Sequence, residues 1–302
     1  MAQLEVGISL PNTIPAVSRA QILDWAVRAE QLGASSIASI DRLSYPSWDP
    51  MIALAAAAAV TTTPRLVPSV LVSPLRSNTA LFAQETASLD RLSEGRLVLG
   101  LGISRRADDY EQSKLDFHQR GRALDKQLEE LTAFWAAAND CAAGTVGPAP
   151  HAGRKPPVLI GGQVPATLRR VATWGDGWIA AAGLGGWDSA ITFAERVREA
   201  WGEAGREGSP RLVVTVYSAA GSRAGDRARH YMRQYYGFLG EAKADELAGH
   251  VLTSPERVVE AYQELAEAGF DELILLPTSA EIDELAPLEQ LGQLGAGAGR
   301  SR

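Results

Sequence analysis

Leu81-Phe-Ala-Gln-Glu-Thr-Ala-Ser-Leu-Asp-Arg-Leu-Ser-Glu-Gly-Arg-Leu-Val-Leu-Gly-Leu-Gly102 is an amphipathic segment that stops at Gly95 and runs at once into a short apolar strand. Glycine suits the stop because it takes the left-handed backbone conformation without a Cβ clash. The same phrase recurs on both sides. Residues 26–33 precede the apolar run 36–40, residues 171–177 precede 178–182, and residues 262–269 precede 272–276. The chain is written in helix-then-strand units.

Working outward, strands are predicted at Leu4–Leu10, Ser36–Ile40, Arg65–Val72, Leu97–Ile103, Val158–Gly161, Trp178–Ala182, Leu212–Tyr217 and Leu273–Leu276. Helical patterns fill the gaps at 18–32, 49–62, 78–92, 119–137, 166–174, 188–204 and 255–268. Most strands are apolar on both faces, as parallel strands covered by helices are. Eight such units predict an α/β fold, a closed (β/α)8 TIM barrel over residues 1–291. An open doubly wound sheet is the alternative that the same alternation allows. Two stretches break the rhythm. Residues 139–157, rich in Gly, Pro and Ala, read as a long loop before the fifth strand. Residues 222–250 form an insertion after the seventh strand, with Tyr231, Tyr235, Tyr236 and Phe238 in a helical pattern. Insertions there lie at the C-terminal face, where barrel active sites sit, so this one is either extra surface packing or a substrate lid. The glycine-rich tail 292–302 is expected to be disordered.

The composition, 46% hydrophobic and 22% charged, is that of an ordinary globular protein. A net charge of -7 without a dense Lys/Arg run argues against nucleic acid as a partner. Cys141 stands alone, which rules out an intrachain disulfide. The N-terminal residues show no basic and then long apolar leader, and the greasiest stretch, 52–60, is about half the length a membrane span needs. A cytoplasmic protein with no membrane attachment is expected.

Self-sufficient catalytic signatures are missing: there is no Gly-x-Ser-x-Gly, His-Glu-x-x-His, Cys-x-x-Cys or P-loop motif. His118, His151, His230 and His250 lack metal-ligand spacing, so no metal site is expected. Leu99-Gly-Leu-Gly102 is not a dinucleotide fingerprint, since Ile103-Ser-Arg-Arg neither completes it nor opens a helix. Such a chain borrows its reactivity from a cofactor. The strand ends narrow the search. Asp41-Arg42 closes the second, with Tyr45 and Trp48 beyond; the third carries Ser69-Val-Leu-Val-Ser-Pro-Leu-Arg76; the fourth ends Gly100-Leu-Gly-Ile-Ser104. The fifth ends Ile160-Gly-Gly-Gln163 before a helix, and the sixth ends Ala181-Ala-Gly-Leu-Gly-Gly186. Gly161 and Gly162 let backbone N–H groups approach an anion, and the helix N-terminus adds favourable dipole charge. With the glycines after Ala182 they would cradle a phosphate.

The run 81–102 resembles the signature of the luciferase-like flavin- and deazaflavin-dependent oxidoreductases. So do Pro157-Val-Leu-Ile-Gly-Gly162, Arg170-Val-Ala-Thr-Trp-Gly-Asp-Gly-Trp178, the helix 120–135 and the opening Gly7-Ile-Ser-Leu-Pro11. Similarity extends from about residue 4 to about 280, with 222–250 the diverged part. The resemblance implies a cofactor ring at the C-terminal mouth and a bulged third strand with a cis Ser69–Val70 peptide against it. Cofactor contacts then fall on Ser69, Val70, Leu71, Gly102 and Ser104. The phosphate contacts fall on Gly161, Gly162, Gln163, Ala181, Ala182 and Gly183.

Arg42, Asp41 and Tyr45 are the catalytic candidates. Many deazaflavin members carry Asp-His where this chain has Asp41-Arg42. Arginine stays protonated and is no general base; it would hold an anionic substrate or stabilise negative charge building up in hydride transfer. Asp41 would orient Arg42 or cap the turn. Some relatives have Glu where Arg105 stands, or Lys where Leu184 stands, so the phosphate would rest mainly on backbone amides. The expected cofactor is coenzyme F420, used for hydride transfer to a small-molecule substrate. FMN with oxygen is the alternative, with Arg105 or Arg106 as its positive side chain, and a non-catalytic flavin-binding protein is the third. Trp48, Tyr45 and the 231–238 aromatics would suit a flat or apolar substrate. Family members often form homodimers through barrel helices, and a homodimer is implied.

Overall fold

The computed structural model describes residues 3–140, 143–181 and 186–298. The chain runs β1 (Glu5–Ser9), α1 (Arg19–Gln31), β2 (Ser36–Ser39), α2 (Pro50–Ala58), β3 (Arg65–Pro68), β4 (Leu71–Val72), α3 (Thr79–Leu92), β5 (Leu99–Gly102), α4 (Ala107–Gln112) and α5 (Arg120–Ala138). It continues β6 (Val158–Gly161), α6 (Pro165–Trp174), β7 (Gly177–Ala181), α7 (Gly186–Glu203), β8 (Arg211–Ser218), α8 (Ala224–Tyr235), α9 (Glu241–Ala248), α10 (Pro255–Glu267), β9 (Glu272–Pro277) and α11 (Ala286–Ala298). Side-chain caps start the helices where the sequence changes period. Ser18 and Gln21 form a capping box on α1, Asp49 accepts from the Met51 and Ile52 amides on α2, and Ser254 caps α10 ahead of Pro255.

Every strand pair is parallel, in the order β3-β2-β1-β9-β8-β7-β6-β5-β4. β3 and β4 are two halves of one predicted strand, interrupted at Ser69 and Val70. A bridge between Leu66 and Leu97 joins β3 to the chain entering β5, with the Leu66 amide donating to the Arg96 carbonyl at 2.9 Å. An open doubly wound sheet would leave those edges apart; here they meet, and the TIM barrel is the fold.

The buried residues separate into two layers, as the two-residue period of a strand requires. Ile37, Leu66, Ile160, Trp178, Leu212 and Leu273 pack outward with the helices. Their neighbours Ala38, Val67, Leu159, Ile179, Val213 and Ile274 fill the interior and continue without a break into Tyr217, Tyr231 and Tyr235. Each large aliphatic side chain so buried contributes about 1.5–3 kcal/mol. The N-terminal end is closed by charge. Arg211 reaches Glu5 at 2.6 Å and Glu272 at 2.9 Å, and Arg65 reaches the same two at 2.6 and 3.4 Å.

The insertion 222–250 supplies α8 and α9. Two helices were not anticipated. α4 is a single short helix after β5, and α11 extends past Gly292 into the stretch expected to be disordered, carried on from buried Leu288 and Leu291. Cys141 and residues 299–302 lie outside the described residues. No helix among the described residues is long and apolar enough to cross a membrane.

Candidate active site

The second and third strands meet at Asp41. Its Oδ2 accepts from the Val72 amide at 2.8 Å and from Arg76 Nη1 at 2.7 Å, and Arg76 also reaches Asp49 at 3.2 Å. Burial pushes the Asp41 carboxyl above its usual range, against the pull of Arg76 and the Val72 amide. Asp41 therefore fixes the start of β4 against the end of β2, and its ion pair is with Arg76 and not with Arg42. Between the halves of the third strand the Ser69–Val70 peptide is cis, as expected. Ser69 is spent on β2, its amide and hydroxyl both donating to the Ser39 carbonyl at 2.8 and 3.2 Å. Leu71 is fully buried in the outer layer, so only its backbone faces the mouth.

Val70 explains the glycines opposite. A Cβ on Gly102 would stand 2.8 Å from Val70 Cγ2, one on Gly161 would stand 3.0 Å from Val70 Cγ1, and one on Gly100 would stand 2.2 Å from the Pro68 carbonyl oxygen. A side chain added at Gly102 or Gly161 would displace Val70, and one at Gly100 would strike the Pro68 carbonyl behind it. Beyond it, Gly162 has φ +115° and a Cβ there would meet Thr167 Oγ1 at 2.9 Å. Its carbonyl is held by the Trp178 indole N–H at 2.7 Å. Gln163 has a buried Nε2 without a partner, and α6 begins two residues later at Pro165. A positive-φ glycine, an orphan amide donor and a helix N-terminus are groups that could hold an anion. Ala181 is exposed at the end of β7, while Ala182, Gly183 and Leu184 lie outside the described residues.

Arg42 and Arg106 meet around the ring of Tyr235. Arg42 is buried; Nη1 donates to the Tyr235 carbonyl at 2.9 Å and Nη2 pairs with Asp108 at 2.8 Å. Arg106 Nη1 donates to the Tyr235 hydroxyl at 3.1 Å, and its guanidinium lies 4.3 Å from that ring's centre. Tyr45 meets Tyr235 edge-on at 5.1 Å, and Tyr231 stacks on Tyr235 at 5.3 Å. Tyr231 also shares a 2.8 Å hydrogen bond with Thr13. Burial raises the Tyr45 phenol, and it drives those of Tyr217 and Tyr231 further up, so all three stay neutral donors near pH 7. Ser104 has φ +55° and its hydroxyl accepts from the Arg106 amide, turning the chain from β5 into α4.

The fold thus gathers Asp41, Arg42, Tyr45, Ser69, Val70, Gly102, Ser104, Gly161, Gly162 and Gln163 around the strand ends. Trp48 lies further out, partly exposed, its amide bonded to the Asn12 carbonyl. Sequence reasoning missed Asp108 and Asp109. Asp109 Oδ1 accepts from the Leu43 and Ser44 amides at 3.1 and 2.7 Å, which locks the loop that carries Arg42 and Tyr45. The adjacent acids in a polar segment just past β5 were the available signal. Arg105 is exposed, with no ion pair among the described residues.

Comparisons with known proteins bear on this arrangement. The family described as luciferase-like monooxygenase matches residues 4–275. An uncharacterized protein of Mycobacterium tuberculosis is 27% identical over 212 residues, 67% of this chain and 73% of the relative. An F420-dependent glucose-6-phosphate dehydrogenase of Amycolatopsis mediterranei is 26% identical over 54% of each chain. Among solved structures, the monooxygenase RslO1 from Streptomyces bottropensis aligns with a TM-score of 0.76 at 20% identity, covering 98% of this chain and 100% of that one. An F420-dependent secondary alcohol dehydrogenase in complex with an F420-acetone adduct aligns at 0.76 and 14%, covering 97% and 98%. The FMN-bound oxygenating constituent of 3,6-diketocamphane monooxygenase from Pseudomonas putida aligns at 0.71 and 18%, covering 97% of each. At these identities the structural likenesses show the fold.

Proposed function

This chain belongs to the luciferase-like monooxygenase family, and from that premise we propose that it is an F420-dependent oxidoreductase acting on a small organic molecule. The observation that carries the choice of cofactor is the third strand. Ser69-Val70-Leu71 followed by Pro74 and Arg76 is the pattern that most resembles the deazaflavin-dependent members, and Arg76 is tied to Asp41 at 2.7 Å to hold that strand in place. Curated relatives named as F420-dependent support the same choice.

Gly161, Gly162, Gln163 and the start of α6 would hold the phosphate, and Val70 with its glycine surround would support the ring. When bound, the reduced deazaflavin supplies a hydride. Arg42 and Tyr45 would orient the substrate, and Arg42 would stabilise negative charge developing on it. The α8 tyrosines, packed in one apolar cluster with the barrel interior, would help to keep water from the site.

FMN with oxygen is kept as a second reading on one observation: exposed Arg105 is free to face a phosphate. Arg106, the other candidate for that task, is held among Tyr235, Tyr236 and Phe238. Parallel fluorescence titrations of the protein with oxidised F420 and with FMN test the choice. Tight binding of F420 and weak binding of FMN is expected; the reverse overturns the proposal in favour of oxygen chemistry. Gly162→Asp should abolish binding of either cofactor by clash and charge repulsion, and retained affinity would remove the phosphate from this turn.

A further inference from the structure

The mouth holds more hydrogen-bond donors than it satisfies. Arg106 Nε, Arg42 Nε and the Tyr45 hydroxyl are all buried and without a partner. All three sit around one ring. The guanidinium centres lie 4.3 and 5.4 Å from the centre of Tyr235, and the Tyr45 ring lies 5.1 Å from it. The charges are unequal as well. Arg42 has Asp108, but no carboxylate of the described residues lies within ion-pair distance of Arg106, whose guanidinium donates to the Tyr235 hydroxyl. Asp109, next in sequence, turns its carboxylate to the Leu43 and Ser44 amides instead.

A partly buried guanidinium whose Nε is shut off from solvent and which has no counter-anion is costly, and arginine has no acceptor with which to satisfy itself internally. Such a set is completed by a ligand that brings acceptor atoms and negative charge. A carboxylate does both, with two oxygens that match the flat guanidinium fork. The surrounding walls are aromatic faces, which favour a flat apolar body behind that carboxylate. Phe238, about half exposed, lies 5.0 and 5.3 Å from the two guanidinium centres and forms the side of the box toward solvent.

We infer that Arg106, with Arg42 and Tyr45, is a specificity subsite for the carboxylate of a flat, ring-bearing substrate. In naming the ligand a substrate this rests on the oxidoreductase reading above; the anion site itself does not, and its test needs no cofactor. Calorimetric titration of the cofactor-free full-length protein with sodium benzoate at low ionic strength should give saturable binding. It should also raise the melting temperature. Arg106→Gln should weaken benzoate about tenfold and shrink the thermal shift at the same benzoate concentration, as expected for loss of a charge-assisted pair. The affinities for F420 and FMN should stay within a factor of about two, since the phosphate cradle is elsewhere.

Absence of benzoate binding to the wild-type protein overturns the subsite, whatever the cofactor titrations show. So does an unchanged benzoate affinity in Arg106→Gln. If that variant loses cofactor affinity and keeps benzoate, the anion in question is the cofactor's own, and the substrate assignment falls. Should Arg106→Gln fail to fold, Tyr45→Phe keeps the ring contact and removes only the orphan hydroxyl. Benzoate should then weaken about threefold, a modest loss typical of one neutral donor, and an unchanged affinity again overturns the subsite.

Discussion

The two ends of the barrel use arginine in opposite ways. At the N-terminal end Arg65 and Arg211 share Glu5 and Glu272, two cations against two anions, with every charge paired within 3.4 Å. Ser35 adds a further hydrogen bond to Glu272, which is 1% exposed. At the C-terminal mouth Arg42 and Arg106 face one ion-paired carboxylate, Asp108; each end leaves two arginine Nε groups without a partner, so the difference lies in the charge. A balanced network closes a structure; an unbalanced one leaves binding capacity. In TIM barrels generally the N-terminal end serves stability and the C-terminal end chemistry, and here that division is written in the charge count.

The largest expected effect tests the closed end. Glu272→Ala strips Arg65 and Arg211 of a buried partner and should cost about 3–5 kcal/mol in denaturant unfolding. The matching change at the mouth, Asp108→Asn, takes a 42% exposed carboxylate from Arg42, itself 6% exposed, and should cost less, about 1–2 kcal/mol, because the amide oxygen still accepts from the guanidinium. Equal losses would abolish the contrast. Acid should act on the closed end in the same direction. Burial works to raise Glu5, but hydrogen bonds and charge from Arg211 and Arg65 hold it below its usual value. Its stabilisation is therefore present above the unfolded pKa and is lost as pH falls through the lower folded one.

At the other end the sign reverses. Glu284, wholly buried after β9, is pushed up to about 7 by burial, against the Ser279 hydrogen bond and Arg227, and its Oε2 has no partner. A raised carboxyl pKa stabilises the fold below the unfolded value of 4.5 and loses that contribution as pH rises through about 7. The loss should be on the order of 3 kcal/mol. Glu284→Gln should flatten stability against pH over that window while leaving the acid limb due to Glu5 in place. A variant that still loses stability over the same window would remove Glu284 as the cause.

Which parts of this were legible in the sequence follows from how far apart the partners are. The barrel was legible because each helix stop and the strand after it are neighbours, as in Gly95 and the run to Gly102. The break in the third strand was not legible from pattern, since 65–72 is one apolar run; only the family resemblance placed it at Ser69–Val70. The glycines of β5 look arbitrary until Val70, some thirty residues away, is seen against them. From the sequence Asp41 would orient Arg42 or cap the turn; the structure pairs it with Arg76. Asp108 and Asp109 were passed over because their partners, Arg42 and the amides of Leu43 and Ser44, belong to the loop after another strand.

The smallest effect decides between the two readings of the 222–250 insertion. A lid opens as a unit, whereas packing is lost only when the barrel unfolds. Tyr231 joins α8 to Thr13 through one 2.8 Å hydrogen bond, and its ring belongs to the same apolar cluster as Val213 and Ile274 inside the barrel. Tyr231→Phe keeps the ring and removes that bond, at a cost of about 1 kcal/mol. Because the cluster is continuous, we expect the loss to appear as a lower global melting temperature, with amide exchange of α8 tracking that of β8. Faster exchange confined to α8 and α9, with the melting temperature unmoved, would instead mean that the helices lift off by themselves and that the mouth is gated by them.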